Sequence, residues 1–158
     1  MTFRLSLLLA AAAALAGAQA PALAQDVSAD PNFGTVRLRS GFTPDPRVVP
    51  VQSGGDIDAE SIDPSCRGFI SNAPDVRLYY EAGSLPLIIS VASSADTTLV
   101  INGPDGSWYC DDDGGVNGLN PMVRFDDPES GRYEIWVGTY SSGSLQSSRL
   151  HISELRSQ

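Results

Sequence analysis

The chain has 158 residues, and its 19 aspartates and glutamates outweigh 10 basic residues, all of them arginines, to give a formal net charge of −9. An acidic protein is a poor partner for nucleic acid or anionic lipid, so these ligand classes are disfavoured and cationic ligands are favoured.

The first 24 residues predict a signal peptide. Arg4 supplies a positive charge, and residues 5–16 form an apolar run that is too short to span a bilayer but typical of an export signal. Small residues at Ala22 and Ala24 predict cleavage before Gln25. We therefore expect a periplasmic or secreted protein that is not inserted in a membrane after cleavage, with a mature chain long enough for one domain.

Residues 25–65 are expected to form an N-terminal extension that contains strands. Residues 33–42 alternate, with Val36 and Leu38 on the buried side, which predicts a half-buried strand. Residues 47–52 are rich in β-branched side chains, and Pro50 places them at a sheet edge. Residues 53–65 are rich in glycine and acids and are expected to be a loop.

Residues 66–158 are expected to form a β-sandwich domain. Short apolar or alternating segments lie at 66–71, 75–81, 85–92, 97–102, 107–110, 121–125, 132–140 and 145–155. Residues 85–92 are almost continuously apolar, as in a central strand. In residues 132–140, Tyr133, Ile135 and Val137 face one way and Trp136 faces the other. About nine strands in total, with no amphipathic helix after the leader, predict an all-β, jelly-roll-like antiparallel sandwich.

The two cysteines, Cys66 and Cys110, predict a disulfide bond. An even number of cysteines in an exported protein favours pairing, because the compartment is oxidising. Free buried thiols are the alternative. The bond would close a loop of about 45 residues, which corresponds to roughly 3–4 kcal/mol in the chain-entropy model.

Four aspartates suggest a cation site. Asp111, Asp112 and Asp113 are adjacent, and Asp105 belongs to the same predicted hairpin. Like charges about 4 Å apart repel by about 1 kcal/mol in water and by more near a protein surface, and a hard cation removes that cost. Calcium prefers six to eight oxygen ligands from such flexible loops, although the spacing is not that of an EF-hand. The alternative is a solvated acidic turn that keeps a sheet edge soluble.

Several aromatic residues lie close in sequence to these acids. Trp108, Trp136 and Tyr140 would form a carbohydrate-binding platform if they shared an exposed face. The alternative is that they pack in the core of the sandwich, where aromatic residues of this fold usually lie.

Catalytic residues are not predicted. His151 is the only histidine, and we expect it on the surface of the last strand. A serine nucleophile would need this histidine as its general base, and the sequence has no G-x-S-x-G motif. One histidine and two cysteines that are paired with each other also make a poor ligand set for zinc.

The order of motifs from residue 66 to residue 154 resembles the bacterial pre-peptidase C-terminal domain. The matching segments are residues 68–83, 87–91, 95–106, 111–115 and 130–137. The resemblance implies a small β-sandwich of a kind usually attached to secreted peptidases, and some relatives of that family bind calcium. It also implies family-like acidic positions at Asp96, Asp105, Asp111 and Asp112. Two departures are that no peptidase is present and that the cysteines are not general in that family.

These observations predict an exported, non-enzymatic binding or interaction module with a structural calcium ion. Its partner would be an extracellular or periplasmic protein or glycan. A carbohydrate-binding module is one alternative. A small secreted hydrolase is another, and it is disfavoured by the single histidine.

Overall fold

The computed structural model describes residues 25–143 and 145–158, so the predicted signal peptide lies outside the described residues. The described residues form eleven strands and one short 3₁₀-helix, Ala59–Ser61. The strands are β1 Thr35–Arg39, β2 Arg47–Ser53, β3 Ile57–Asp58, β4 Phe69–Ile70, β5 Val76–Glu81, β6 Leu87–Ser93, β7 Thr97–Asn102, β8 Trp108–Asp111, β9 Met122–Phe125, β10 Gly131–Thr139 and β11 Gln146–Ser153. No helix in these ranges is long and apolar enough to cross a membrane.

The strands form two sheets, which confirms the predicted all-β sandwich with eleven strands rather than nine. Sheet A has seven strands: β10 pairs with β5, β7 and β4, while β1, β8 and β3 extend these neighbours outward. Sheet B has four strands in the order β2-β11-β6-β9. All pairs are antiparallel except β1 with β5, which are parallel. β2 lies at an edge of sheet B, as Pro50 indicated. β6 lies in the interior of the same sheet, as the apolar run in residues 85–92 indicated.

The main core lies between the two sheets. Tyr133, Ile135 and Val137 of β10 point into it, as their alternation predicted. They pack against inward side chains of both sheets: Val36, Val49, Val51, Val76, Leu78, Tyr80, Leu87, Ile89, Val91, Leu99, Ile101, Leu150 and Ile152. Full burial of each aliphatic side chain contributes about 1.5–3 kcal/mol, so this layer holds the two sheets together.

A second, smaller core covers the outer face of sheet A. Trp136 and Val100 pack there against Ala59, Cys66 and Ile70. Cys66 and Cys110 form the predicted disulfide bond, with their Cα atoms 5.1 Å apart. The bond therefore fixes the segment that covers sheet A to edge strand β8.

Residues 25–65 contribute to both sheets. β1 pairs with β5 of sheet A, and β2 pairs with β11 of sheet B. The short strand β3 pairs with β4 across the predicted boundary at residue 65. The expectation that residues 53–65 form only a loop was wrong, because β3 and the 3₁₀-helix lie within them.

His151 is buried, with 7% of its surface exposed, and the expectation of a surface histidine was wrong. Its side chain does lie on the outer side of β11, opposite Ser90 of β6. The backbone N–H of Gln158 donates to the hydroxyl of Ser90 at 3.1 Å, so the C-terminal residue lies against this face. The alternation of apolar and polar residues along β11 indicates which face of the sheet a side chain occupies, but it does not indicate what covers that face.

Candidate functional site

Three loops meet at one end of the sandwich. They are residues 94–96 between β6 and β7, residues 112–121 between β8 and β9, and the described residues 140–143 and 145 between β10 and β11. We call this region the loop end. The Tyr140 N–H donates to the Asp96 carbonyl at 3.1 Å, and the Thr97 N–H donates to the Leu119 carbonyl at 3.0 Å. These bonds hold all three loops against the start of β7.

Asn120 strengthens this junction from a buried position. Its side-chain oxygen accepts the Thr97 hydroxyl at 3.0 Å, and its amide donates to the Ser93 carbonyl at 3.1 Å. The side chain of Asn120 is therefore engaged in joining the loops.

The acidic run places its three carboxylates in different roles. Asp111 accepts hydrogen bonds from the backbone N–H groups of Gly114 at 2.7 Å and Met122 at 2.8 Å, so it fixes the loop. Asp112 is half-buried and Asp113 is exposed. Burial raises the pKa of Asp96, and the charges of Asp113 and Asp112 raise it further. Asp96, Asp112 and Asp113 therefore share one region of negative potential.

No arginine neutralises these acids among the described residues. None of the ion pairs within the described residues involves Asp96, Asp112 or Asp113. These pairs are Arg39–Glu81, Arg67–Glu60, Arg77–Glu134, Arg124–Asp126 and Arg132–Glu134. The negative charge of Asp96, Asp112 and Asp113 is therefore not balanced by an ion pair within the described residues.

Asp105 does not join the other acids, which corrects the predicted cluster. It lies in the turn at the opposite end of β7, and a six-residue strand is about 20 Å long. Its carboxylate accepts the Ser107 N–H at 3.0 Å and the Tyr109 hydroxyl at 2.9 Å. The bonds from Ser107, with a smaller contribution from Tyr109, lower the pKa of Asp105. Asp105 therefore stabilises its own hairpin.

Calcium at the loop end stays a prediction. Within residues 25–143 and 145–158, no group of three or more histidine, cysteine, aspartate or glutamate side chains is arranged to hold a metal ion. Of the five predicted metal ligands, only Asp96, Asp112 and Asp113 lie in a common region with side chains that are not engaged in holding a turn.

The prediction that Trp136 belongs to an exposed aromatic platform was wrong. This side chain is fully buried, and its ring centroid lies 5.5 Å from that of the half-buried Trp108. Residues of the N-terminal segment cover this side of β10, which the sequence of the strand alone does not indicate. Only Tyr140 is well exposed, and it lies at the loop end.

A polar cavity of about 450 Å³ opens at the loop end. It is lined by Ser94, Ala95, Asp96, Thr139, Ser141, Ser142, Gly143 and Gln146. The Oδ1 atom of Asp96 and the Oγ1 atom of Thr139 are both buried without a hydrogen-bond partner in the described structure. Sequence reasoning missed Thr139, because its place opposite Thr97 follows from the pairing of β10 with β7.

Large apolar side chains surround the acids at the loop end. Val116, Leu119, Tyr140 and Leu145 are exposed by 74%, 56%, 47% and 57%, respectively. Exposed apolar side chains that are grouped among polar ones are typical of interaction surfaces. The fold and this end of it together define a disulfide-bonded β-sandwich with an acidic, partly apolar loop surface.

No protein-family model matches the sequence, and no curated protein matches it. Among solved structures, the chain is similar to PliG from Aeromonas hydrophila, a periplasmic lysozyme inhibitor of g-type lysozyme. The identity is 14% and the TM-score is 0.38, and the match covers 79% of this chain and 98% of that chain. A likeness at this level is too low to carry an inference about a shared partner.

Proposed function

We propose that the protein is an exported, non-enzymatic binding module whose loop end contacts a cationic protein. The observation that supports this function is the grouping of Asp96, Asp112 and Asp113, without an arginine partner in the described residues, beside four exposed apolar side chains. Unneutralised carboxylates attract a positive surface and orient it, while apolar side chains supply contact area.

The disulfide supports export of the protein, and the burial of His151 supports a non-enzymatic function. A disulfide persists in the oxidising compartments to which the signal-like leader would direct the chain. The sole histidine is buried on the outer face of sheet B, so it does not supply an imidazole at the loop end. A glycan partner has less support, because Trp136 is buried and offers no stacking surface.

The resemblance to the pre-peptidase C-terminal domain is compatible with such a module, and a structural calcium ion is a second proposal from it. Asp96, Asp112 and Asp113 would then supply the carboxylate ligands. A comparison of melting temperatures in calcium and in a chelator tests it, and identical values would end the calcium proposal.

Binding to purified basic and acidic globular proteins of matched size tests the main function. The mature chain is immobilised, and association is followed by surface plasmon resonance. We expect selective binding of basic proteins, and a loss of at least about tenfold in affinity for a variant that carries Asp112→Asn, Asp113→Asn and Tyr140→Ala.

A variant at the opposite end of the sandwich provides the matched control. It carries Asp127→Asn, Glu129→Gln and Leu85→Ala, three exposed residues in the turns that precede β10 and β6. Both variants remove two negative charges and one exposed apolar side chain. Equal losses for the two variants would mean that only net charge matters, and that result would overturn the proposed function.

A further inference from the structure

We propose that the free edge of β1 is a docking site for an extended acidic segment of another protein, which pairs with β1 as an additional strand of sheet A. Within the described residues, β1 is an end strand of that sheet and pairs with β5 alone. Addition of a strand to an exposed sheet edge is a general mode of peptide recognition. The site is a sheet edge rather than the loop end, so this inference is independent of the proposed function.

The backbone groups of β1 point alternately toward β5 and toward the free edge. The Gly34 carbonyl accepts the Arg77 N–H at 3.2 Å, and the Ser40 N–H donates to the Glu81 carbonyl at 2.8 Å. In a parallel pair, every second residue turns its backbone groups to the neighbouring strand. Residues with even numbers from 34 to 40 therefore bond to β5. The residues whose N–H and C=O groups point to the free edge are Thr35, Arg37 and Arg39.

β1 differs from the other edge strands in offering an uninterrupted edge. β2 is interrupted by Pro50, β3 has two residues, and β8 and β9 have four residues each. β1 has five residues, and none of them is proline or glycine. Natural edge strands are commonly protected by proline, by very short length, by bulges or by charged side chains. The two arginines are therefore the protective feature of β1, and they also determine which strand it accepts.

The side chains along this edge carry positive charge. Arg37 and Arg39 project from the outer face of sheet A, and both are exposed. Arg37 stacks 4.2 Å above the Tyr79 ring and forms no ion pair within the described residues. The Nε atom of Arg39 lies 2.8 Å from Glu81, in a pair whose side chains are largely exposed. Such a pair contributes little to stability, and a guanidinium has five N–H donors, so both arginines can bind a further carboxylate.

This geometry specifies the sequence pattern of the partner strand. The residues opposite Arg37 and Arg39 would lie on the same face of the sheet, two positions apart, with Cα atoms about 5.5 Å from those of the arginines. Acids at these two positions would pair with the arginines. The residue between them would lie beside Leu38, which is partly buried at the margin of the main core, so an apolar side chain suits it. The pattern is acid–apolar–acid, and it is the same in either strand direction.

The same arginines disfavour a second copy of this chain as the occupant. Antiparallel pairing of two β1 strands about Arg37 or about Leu38 would place arginines opposite each other, and like charges opposite each other destabilise a strand pair. An acidic strand forms attractive pairs instead. The net charge of −9 opposes such a partner at a distance. This repulsion is screened beyond about 8 Å at about 0.15 M salt, whereas the arginines act at contact.

Hydrogen exchange measured by NMR tests the docking edge directly. The probe is the blocked peptide acetyl-Thr-Val-Glu-Val-Glu-Val-Thr-amide. In the free protein, we expect slow exchange of the Val36 and Leu38 amides and rapid exchange of the amides of Thr35, Arg37 and Arg39. The peptide should slow exchange of these three amides by at least about tenfold at saturation. Absence of binding at about 1 mM peptide, or binding that leaves the three amides unprotected, would overturn the proposal.

Two further peptides test the acid–apolar–acid pattern. In one, glutamine replaces both glutamates, and in the other, arginine replaces them. We expect affinity to fall about fivefold for the glutamine peptide and further for the arginine peptide. The variant Arg37→Glu with Arg39→Glu should reverse this preference. Equal affinity of the wild-type protein for all three peptides would overturn the role of the arginines.

A pair of substitutions at one position tests the main-chain pairing. Arg37→Thr and Arg37→Pro remove the same charge, but only Arg37→Pro also removes the N–H group at the free edge. That group does not bond to β5, so proline is compatible with this edge position. We expect Arg37→Pro to bind the acidic peptide at least about fivefold more weakly than Arg37→Thr. Arg149→Thr, on the interior strand β11, removes one positive charge elsewhere and should bind as the wild type does. Equal affinity of the two Arg37 variants would overturn main-chain pairing.

The other occupants and sites are distinguished by the same measurements. If the three edge amides become protected when the protein alone is concentrated, the occupant is a second copy, and the acidic segment is overturned. The variant Asp112→Asn, Asp113→Asn and Tyr140→Ala should bind the acidic peptide at least as well as the wild type. Loss of peptide binding in that variant would place the peptide at the loop end and would overturn the β1 site. The exchange measurement needs no substitution, so it decides the question even if Arg37→Pro loosens β1.

Discussion

Asp75 is a buried acid whose side chain is held in place by hydrogen bonds. It precedes β5, is 1% exposed, and accepts the Val137 N–H at 2.7 Å and the Asn32 side-chain amide at 3.1 Å. Burial raises the pKa of Asp75 from 3.8 to about 6, even though these hydrogen bonds act in the opposite direction. Asp75 therefore joins the N-terminal segment to β10 at an electrostatic cost when it is ionised.

Asp75 predicts a loss of stability as the pH rises from about 4 to about 6. A folded-state pKa above the unfolded value means that the favourable contribution is complete below pH 3.8 and is lost as the pH passes the folded value of about 6. The size of this loss is about 3 kcal/mol. Urea unfolding of the wild type and of Asp75→Asn at several pH values measures it.

The substitution Asp75→Asn also leaves one of its donors without an acceptor, so a constant penalty is expected at every pH. The informative quantity is therefore the difference in unfolding free energy between wild type and variant. We expect this difference to be largest near pH 4 and to fall by about 3 kcal/mol by pH 7. Parallel pH profiles would contradict the assignment to Asp75.

His151 predicts the opposite dependence on pH. Burial, and to a smaller degree the charge of Arg149, lowers its pKa below 6.5. Its neutral form is favoured in the folded protein, so its contribution to stability is present above pH 6.5 and is lost as the pH falls through the lower folded value. We expect His151→Leu to reduce the loss of stability on mild acidification. A folded-state titration by NMR with a midpoint at or above 6.5 would contradict this prediction.

At the scale of elements, sequence patterns were sufficient where local chemistry decides the structure. The bounds predicted for β7 agree with Thr97–Asn102, because a β-branched run ends there at the turn residues 103–106. The interior strand β6 was evident from its continuous apolar residues. The two-residue strand β3 was missed, because its pairing with β4 rather than its composition makes it a strand.

The candidate site was less predictable than the strands, since it depends on contacts between distant segments. The acidic run indicated a charged loop, but the separation of Asp105 from Asp112 follows from the length of β7. Thr139 carried no sequence signal, because its place at this end of the sandwich follows from the pairing of β10 with β7. The alternation of β10 places Trp136 on the outer face of sheet A, but it does not reveal that residues such as Ala59 and Cys66 cover that face.

The disulfide is the element-scale feature with the largest expected effect on stability. It joins the loop before β4 to edge strand β8 and secures the second core, where Cys66 is fully buried. We expect replacement of both cysteines by alanine to lower the unfolding free energy by about 3–4 kcal/mol. Urea unfolding checks this value, with reduced wild-type protein as the comparison. A loss below about 1 kcal/mol would show that packing around Trp136 alone holds this layer.

At the scale of the whole molecule, the charge is unevenly distributed. Exposed arginines lie on β1 and β10 of sheet A, where Arg39 pairs with Glu81 and Arg37 stacks 4.2 Å above the Tyr79 ring. The loop end instead carries acids without arginine partners in the described residues. The chain as a whole has a net charge of −9, so a cationic partner is attracted from a distance and is oriented mainly by the loop end.

This distribution predicts that salt will slow association with a basic protein more than it speeds dissociation. Electrostatic steering acts on the association rate, and at about 0.15 M salt charges are screened beyond about 8 Å. We expect the association rate to fall about tenfold or more between 0.02 and 0.5 M salt in stopped-flow measurements. Asp112→Asn with Asp113→Asn should reduce this dependence more than Asp127→Asn with Glu129→Gln, because these last two acids lie about 20 Å away at the other end of the strands. Equal dependence in both double variants would show that net charge alone steers the encounter, without a preference for the loop end.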